Sequence, residues 1–504
     1  MRVDASTAMG TGHLRRCLAL GRALLGMGSS VVLVSRDLGL DWRALARDAG
    51  VEATRSLPAP GTADLDAARR GAAPHAGWAE VTQERDAAET CAALGGDAPD
   101  WIVVDSYSFD SRWHDEVRRA TGARLCVIDD LADRPLSADL LVDHNLSPDH
   151  RAKYGEHGSG VRRLLGGPRF ALLDRCYQQV HAFRVRDRVE SIGIFVGGTD
   201  PWNASAAAAL ACLDGAGFGG SIEIASTRSN PHLASLRSLA RERPSVSLLV
   251  DAPDLSAFFS RHDLQIGAGG GAALERCRVG APSILVALAG NQVAPVGALV
   301  ACGAARQASS VEAGSMTPVL QELLADPAAR RELSRRARAV VDGRGTERVA
   351  LALLADETRL RPARPEDAEP AWRWRNEPTT RRHFRDASEI GLEAHLLWWQ
   401  ECLADERRRL LMGCCGGIDV GVLRLDLDDG EAEVALYLDP GLHGLGLGTA
   451  LLRAGQAWVR RREPSVARLL ADILPGNEAS AAAFAAAGFG RADERTRVWE
   501  VVPA

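Results

Sequence analysis

Short β-rich runs alternate with helical segments over roughly the first 340 residues, and this alternation constrains the fold more than any other feature of the sequence. Strand candidates in the first part are residues 31–35, 101–105, 125–128 and 140–142, with helical stretches such as 42–49 and 111–119 between them. Strands separated by helices form parallel sheets that are covered on both faces. The sequence therefore predicts an α/β fold, and 504 residues are enough for roughly two to four domains.

A glycine-rich turn joins the first strand pattern to the first helix pattern. Gly10 and Gly12 allow a tight turn, and His13 follows at the start of the helix. A helix N-terminus disfavours imidazolium, so a histidine there is predicted to be neutral and able to accept a proton. The spacing alone leaves open a surface histidine beside an ordinary strand–helix turn.

Polar residues also follow three later strand candidates, namely Asp105, the pair Asp129 and Asp130, and the pair His144 and Asn145. Each alone is typical of a cap or a turn. Because the carboxyl ends of parallel strands share one edge of a sheet, we expect them at the same rim as His13. Together they predict a polar crevice.

The alternation resumes at about residue 189, after a predicted connector at 151–188. Strand candidates are residues 191–196, 222–225, 247–250, 264–266 and 283–287, and Asp254 is a predicted helix N-cap. Two glycine-rich loops, 197–200 and 267–271, each leave a strand and precede a helix, the context in which backbone N–H groups hold phosphate. Neither loop has the pattern of an ATP-hydrolysing or dinucleotide-binding protein. Glu275 could bind ribose hydroxyls, or it could be a solvated helix glutamate.

Composition excludes several classes of protein. The net charge of −6 argues against a bulk nucleic-acid binder. No apolar run approaches the length needed to cross a bilayer, and the N-terminus does not resemble a signal peptide, so we expect a cytoplasmic protein with no membrane partner. The ten cysteines lack zinc-site spacing.

Several separated motifs carry a resemblance over residues 1–345. They are Arg2-Val-Asp-Ala-Ser, Gly10-Thr-Gly-His13 with Arg16, Val127-Ile-Asp-Asp, Asp143-His-Asn145, Gly197-Gly-Thr-Asp200, Gly269-Gly-Gly271 with Glu275, Gly280-Ala-Pro282 and Asn291-Gln292. This part of the chain resembles the UDP-sugar hydrolases of pseudaminic acid biosynthesis.

The resemblance implies a GT-B-like pair of Rossmann-type lobes, with the sugar and the catalytic base in lobe 1–150 and UDP in lobe 189–345. It implies hydrolysis of UDP-2,4-diacetamido-2,4,6-trideoxy-β-L-altropyranose to the free sugar and UDP without a metal, with His13 as the general base for water. The substrate contacts that it implies are Gly12, Arg16, Asp105, Asp130, Asn145, Gly198, Thr199, Gly270, Gly271, Glu275, Asn291 and Gln292.

A second unit begins after a predicted linker at 346–357 and covers residues 358–504. A strand pattern leads into a glycine-rich loop and the apolar helix pattern 450–459, again an arrangement that binds a diphosphate. Here the chain resembles the GNAT acetyltransferases, α+β domains that use acetyl-CoA. The residues that the resemblance assigns to acetyl-CoA are His443, Gly444, Leu445, Gly446, Gly448, Thr449, Asn477 and Phe484.

Two of these residues depart from the family pattern. His443 replaces the usual Arg or Gln, which should matter little where backbone groups bind the ligand. Phe484 replaces a tyrosine that protonates the leaving thiolate in many members, so another group or water must supply that proton. Glu433 is the candidate base and Tyr437 the candidate acid, although an exposed strand glutamate is equally compatible with the pattern.

The segments 372–378 and 393–398 resemble the amino-sugar N-acetyltransferase of the same pathway. The sequence therefore predicts a bifunctional enzyme that acetylates a UDP-amino sugar and then cleaves UDP from the product. Two alternatives remain open: a GT-B glycosyltransferase with an appended acetyltransferase, and a catalytically inactive nucleotide-sugar-binding protein.

Overall fold

A computed structural model describes residues 1–7, 9–181, 183–492 and 498–502. The chain divides into two compact units, Met1–Glu347 and Arg348–Ala504, and the division falls inside the segment predicted as a linker. None of the helices in the described residues is long and apolar enough to cross a membrane.

The first sheet of the first unit has the strand order β3-β2-β1-β4-β5-β7-β9, and each neighbouring pair is parallel. Its strands are β1 (Arg2–Val3), β2 (Leu33–Arg36), β3 (Thr54–Leu57), β4 (Trp101–Asp105), β5 (Arg124–Ile128), β7 (Leu140–Asp143) and β9 (Leu164–Gly166), and β6 (Ser137–Ala138) pairs separately with β8 (Gly160–Val161). The helices are α1 (Gly12–Gly26), α2 (Trp42–Asp48), α3 (Thr62–Arg69), α4 (Gln83–Leu94), α5 (Ser111–Thr121) and α6 (His150–Tyr154).

The second sheet has the order β12-β11-β10-β13-β14-β15, again with parallel neighbours. Its strands are β10 (Ser191–Phe195), β11 (Ser221–Ser226), β12 (Val246–Val250), β13 (Leu264–Ala268), β14 (Ser283–Val286) and β15 (Arg306–Gln307). The helices are α7 (Ala204–Leu210), α8 (Leu233–Glu242), α9 (Ser256–Arg261), α10 (Ala272–Val279), α11 (Gly290–Ala301), α12 (Ala313–Ala325) and α13 (Pro327–Val340). Helix α14 (Gly345–Leu353) contains the boundary between the two units.

Both sheets are doubly wound, and each has a point at which the strand order reverses. In the first sheet the reversal lies between β1 and β4, and in the second it lies between β10 and β13. Ligands of such sheets bind outside the carboxyl ends of the strands at this reversal. The α/β architecture predicted from the alternating pattern is confirmed. The first sheet also reaches further than its predicted end at residue 150, because β9 supplies its edge strand from the predicted connector.

The second unit is built on a mostly antiparallel sheet with the order β16-β17-β18-β19-β20-β22-β21. Its strands are β16 (Arg359–Pro362), β17 (Arg408–Cys415), β18 (Ile418–Asp428), β19 (Glu431–Leu438), β20 (Arg468–Asp472), β21 (Gly490–Arg491) and β22 (Val498–Val501), and its helices are α15 (Ala368–Asn376), α16 (Pro378–Arg381), α17 (Leu392–Ala404), α18 (Leu447–Arg462) and α19 (Glu478–Ala486). One core lies under α18 and α19, and a second lies under α15 and α17 around the fully buried Trp399.

The central strands β19 and β20 are parallel and pair only over Glu431–Glu433. In the described chain the two strands do not pair beyond Glu433, although β19 continues to Leu438. The two strands therefore leave a gap in the sheet, directly before the loop that leads into α18.

Candidate active sites

His13 lies in the first turn of α1, immediately after the turn that leaves β1. Its imidazole is largely buried, and its Nδ1 lies 2.6 Å from Oδ1 of Asp105, at the carboxyl end of β4. A carboxylate can only accept, so the ring nitrogen that faces it carries the proton. In the neutral imidazole Nε2 then keeps its lone pair, and Nε2 has no hydrogen-bond partner among the described residues. This geometry makes Nε2 available as a proton acceptor.

Asp105 belongs to a wider polar cluster. Arg16, one turn after His13, donates from Nε to Oδ2 of Asp105 at 2.5 Å and from Nη2 to Oδ1 at 2.7 Å. Its Nη1 lies 3.3 Å from Asp130, which also accepts from Asn145 Nδ2 at 3.0 Å. Predicted residues from four separate parts of the chain therefore meet in one hydrogen-bonded cluster at the carboxyl edge of the first sheet.

Tyr107 is a member of this cluster that the sequence analysis did not single out. Its hydroxyl donates to Asp130, and its ring packs edge-on against His13 with 4.5 Å between ring centroids. Burial and the neighbouring Asp130 carboxylate raise the pKa of Tyr107 well above its usual value, so the hydroxyl keeps its proton. Its position two residues after Asp105, in the loop that follows β4, was the available sequence signal.

The glycine-rich loops lie at the reversal point of the second sheet. Gly198 follows β10, and its carbonyl accepts from Thr227 Oγ1 at 2.7 Å, while Thr199 is the next residue of the same loop. Gly270 and Gly271 follow β13, and a Cβ atom added at either would meet nothing within 4 Å in the described chain. A ligand could therefore approach the backbone at this loop.

Gln292 joins two of these loops. Its Oε1 accepts from the backbone N–H of Leu288 at 3.0 Å and of Gly269 at 3.3 Å, which ties the end of β14 to the end of β13. Asn291 precedes it in the first turn of α11 and is exposed at the surface. The structure thus gives Gln292 a clear role in shaping the loops.

Glu275 is partly buried in the first turn of α10. Burial raises its pKa, whereas Tyr177 and the positive charge of Arg15 act in the opposite direction. Arg15 belongs to α1, two residues after His13. Arg15, in the first turn of α1, therefore acts electrostatically on Glu275, in the first turn of α10.

In the second unit, the predicted acetyl-CoA residues from His443 to Thr449 lie in the loop between β19 and α18 and in the first turn of α18. Gly444 and Gly446 both have φ +82°, which glycine adopts without strain, and Gly446 is the N-cap of α18. The first turn of a helix leaves backbone N–H groups without intrahelical partners, and these favour an anion. The first turn of α18 also contains Gly448, whose added Cβ would approach Leu438 and Ala483 only to ordinary contact distances.

Helix α19 lies against this loop. Thr449 Oγ1 donates to the carbonyl of Ala483 at 3.4 Å, and Asn477 caps α19 by accepting from Ser480 N–H at 3.2 Å. Phe484 is buried and packs against Phe489 with ring centroids 4.8 Å apart. The structure therefore places Asn477 and Phe484 as a helix cap and a core residue beside the loop.

The two predicted acid–base residues of this unit differ in their surroundings. Glu433 is exposed and lies 4.0 Å from the guanidinium of Arg385. The hydroxyl of Tyr437 is buried and has no hydrogen-bond partner in the described part of the chain, and burial raises its pKa. An unsatisfied buried hydroxyl is rare and costly, so Tyr437 is the more unusual of the two.

Arg375, at the end of α15, is a second such group that the sequence analysis missed. Its Nη2 donates to the carbonyl of Asp386 at 2.9 Å, whereas its buried Nη1 has no partner in the described residues. The guanidinium lies 3.7 Å from the ring centroid of Phe384, which packs in turn near Tyr437. Burial lowers the pKa of Arg375, whereas the nearby Tyr437 acts to raise it. We name Arg375, Phe384 and Tyr437 the aromatic–arginine cluster.

Comparison with known proteins bears on the second unit. Residues 357–490 match the family model described as acetyltransferase (GNAT) domain. The second unit therefore contains a GNAT acetyltransferase domain, the class whose acyl donor is acetyl-CoA. A search of curated proteins found no match for this chain.

Similar solved structures include the aminoglycoside acetyltransferase AAC(6')-Ib in complex with coenzyme A, with 19% identity, 29% of this chain and 94% of that chain covered, and a TM-score of 0.26. Spermidine N-acetyltransferase from Vibrio cholerae, in complex with CoA and spermine, has 12% identity, 29% and 95% coverage and a TM-score of 0.27. The ribosomal L7/L12 alpha-N-protein acetyltransferase RimL has 15% identity, 29% and 90% coverage and a TM-score of 0.26.

Proposed function

We propose that the protein is a bifunctional enzyme acting on a UDP-amino sugar. Its GNAT domain transfers an acetyl group from acetyl-CoA to the sugar amine, and its first unit then hydrolyses the acetylated product to UDP and free sugar. The resemblance over residues 1–345 suggests UDP-2,4-diacetamido-2,4,6-trideoxy-β-L-altropyranose as the nucleotide sugar that is cleaved. The product of the first reaction is the substrate of the second, which gives a chemical reason for joining the two units.

The observation that carries the hydrolase proposal is the His13–Asp105 pair. Nε2 of His13 takes a proton from water as the water oxygen attacks the anomeric carbon, and Asp105 stabilises the imidazolium that forms. The bond between the anomeric carbon and the β-phosphate oxygen breaks, and UDP leaves with that electron pair. Backbone N–H groups around Gly270 and Gly271 stabilise the charge that develops on the diphosphate.

In the GNAT domain, the neutral amine attacks the thioester carbonyl and the CoA thiolate leaves. The thiolate needs a proton, and Phe484 has none to give. Tyr437 is our candidate acid, because its buried hydroxyl has no hydrogen-bond partner in the described chain. Glu433 is our candidate base, and its exposure suits passing the amine proton to solvent.

The test uses the full chain with the UDP-4-amino sugar and acetyl-CoA, and follows CoA and UDP release separately. We expect His13→Ala to lower UDP release by about 10²–10⁴-fold, the usual contribution of a positioned base, and to leave CoA release unchanged. The matched control is His157→Ala, at an exposed histidine of the same unit, which should change neither rate.

Each alternative gives a distinct result in this assay. UDP release that occurs only when an acceptor alcohol is added indicates a glycosyltransferase. Binding of the UDP-sugar with no UDP release from the wild type indicates a binding protein. If His13→Ala hydrolyses the UDP-sugar at the wild-type rate, the assignment of the base is wrong.

A further inference from the structure

The guanidinium of Arg16 uses most of its hydrogen-bonding capacity within the protein. An arginine has five N–H donors. Two of them bind both oxygens of Asp105, and Nη1 lies 3.3 Å from Asp130 Oδ2 and 3.2 Å from His144 Nε2. The side chain is 10% exposed. Little of this group remains to contact a substrate.

His144 contacts Nη1 of the Arg16 guanidinium through its Nε2. Burial, followed by the positive charge of Arg16, lowers the pKa of His144 to about 4, so its imidazole is neutral at physiological pH. Because an arginine only donates, Nε2 of His144 is the acceptor in their 3.2 Å contact. Arg16 is therefore fixed from both sides.

Asp105 is shared between Arg16 and His13, since its Oδ1 faces both the Arg16 Nη2 and the His13 Nδ1. A buried carboxylate with no other partner strongly favours the charged form of a neighbouring histidine. Arg16 holds the pKa of Asp105 well below its usual range and offsets its negative charge. With Asp130 also ionised, the cluster carries one negative charge in excess while His13 is neutral, and none once His13 has accepted a proton.

We propose that Arg16 is a positioning residue that acts on the base through Asp105. It orients Asp105 toward the Nδ1 proton of His13, and it offsets the negative charge of that carboxylate beside the imidazole. This inference rests on the proposed hydrolase function and differs from the substrate contact that the family resemblance implies for Arg16.

Other ionisable groups also act on His13 and have to be kept constant in a test. They come from α1, the last residue of β4, the loops after β4, β5 and β7, and the segment before α4, and they are Arg16, Asp105, Tyr107, Asp130, His144 and His75. Cys17 contacts Asp105, with 3.8 Å between Sγ and Oδ2. Burial holds the protons of Cys17 and Tyr107 in place by raising the pKa of both groups. Asp105 and Arg16 are the charged pair in direct contact with the ring.

The experiment is a ¹⁵N NMR titration of histidine-labelled full-length protein, in which His13→Asn identifies the His13 signals. In the wild type we expect the neutral form of His13 to carry its proton on Nδ1. In Arg16→Gln the midpoint of the His13 titration should rise by about one unit or more, because the charge that offsets Asp105 is lost. Arg16→Lys should give a smaller rise, and the control Arg22→Gln, two turns further along α1 and paired with Asp174, should give none.

An unchanged His13 midpoint in folded Arg16→Gln protein overturns the inference. The inference is also overturned if the neutral tautomer of wild-type His13 carries its proton on Nε2. That measurement does not depend on the folding of any variant. The titration requires no substrate, so its result is separate from that of the UDP-release assay. Where UDP release is observed, the acidic limb of its pH profile should move upward in Arg16→Gln with the NMR midpoint.

Discussion

The polar cluster around Asp105 and the aromatic–arginine cluster of the GNAT domain use their hydrogen bonds differently. Around Asp105, both carboxylate oxygens are occupied, and Asp130 accepts from three side chains. In the aromatic–arginine cluster, Arg375 Nη1 and the Tyr437 hydroxyl are buried without partners in the described chain. Protein contacts alone orient His13 in the first cluster, whereas the second cluster keeps two polar groups to which a ligand could bind.

The two proposed reactions give a physical reason for this difference. A base that activates water needs a fixed tautomer before the substrate arrives, so a partnered carboxylate is an advantage. An acceptor site needs donors that are not already satisfied, because a donor that is bound inside the protein gains little from a ligand. The predictions below test each side of this contrast, beginning with the largest expected effect.

The largest effect is expected from Asp105→Asn. The amide can donate to Nδ1 and so favours the tautomer with the proton on Nε2, which removes the lone pair that the water would use. We expect UDP release to fall by about 10²-fold or more, measured as kcat on the full chain. CoA release in the same samples monitors the second unit, and circular dichroism checks that the chain is folded.

Asp37→Asn is the matched control, because Asp37 is a half-exposed carboxylate of the same unit that pairs with Arg43. It should leave UDP release unchanged. If folded Asp105→Asn retains full activity, the hydrogen bond between Asp105 and His13 does not contribute to catalysis. The proposed functional difference between the two clusters would then be wrong for the first cluster.

The contrast also shows how far the sequence could predict the sites. Periodicity located the ends of β4, β5 and β7 to within one residue, and parallel-sheet geometry then predicted that Asp105 lies at the same edge as His13, 92 positions earlier in the chain. The glycine-rich loops were found in the same way. The predicted cap at Asp254 is displaced by one residue, since Leu255 is the N-cap of α9 while the Asp254 carboxylate accepts from Ser256 N–H.

The sequence could not show which polar groups are satisfied. Arg375 lies in an arginine- and tryptophan-rich segment in which any of the arginines could be solvated, and only packing shows that its Nη1 is buried without a partner in the described chain. Tyr107 was missed because its role depends on a ring contact with His13. Gln292 was expected to bind substrate, and only the three-dimensional arrangement shows that it also ties two loops together.

A smaller effect is expected from Tyr437→Phe. Removing a buried hydroxyl that has no partner should leave the free energy of unfolding unchanged or raise it by about 1 kcal/mol. If the hydroxyl protonates the leaving thiolate or binds the acceptor, kcat for CoA release should nevertheless fall about tenfold or more. Chemical unfolding and the CoA assay on the same preparation measure the two quantities.

Tyr437→Phe is informative because the rate of CoA release is expected to fall while the free energy of unfolding stays the same or rises. A loss of stability together with a loss of rate would mean that the hydroxyl has a structural partner, and the distinction between the two clusters would then disappear. Tyr154→Phe serves as the control, because the Tyr154 hydroxyl donates to the carbonyl of Asp129 at 2.7 Å and its removal should destabilise the first unit without changing CoA release.

The smallest effect is expected from Gly444→Ala, which tests whether the loop before α18 is open to a ligand. Gly444 has φ +82°, and an added methyl group would meet no other atom of the described chain within 4 Å. The left-handed backbone costs about 1 kcal/mol for alanine, and a methyl group at the loop surface would also hinder the approach of a diphosphate. We expect the KM for acetyl-CoA to rise several-fold.

Gly417→Ala provides a closely matched control, since Gly417 has φ +78°, equally open surroundings and a position in the turn between β17 and β18. The two variants should lose similar stability, so a KM increase confined to Gly444→Ala separates ligand contact from backbone strain. Equal KM values in the two variants would show that acetyl-CoA does not approach this loop. The aromatic–arginine cluster would then be the remaining candidate ligand site of the second unit.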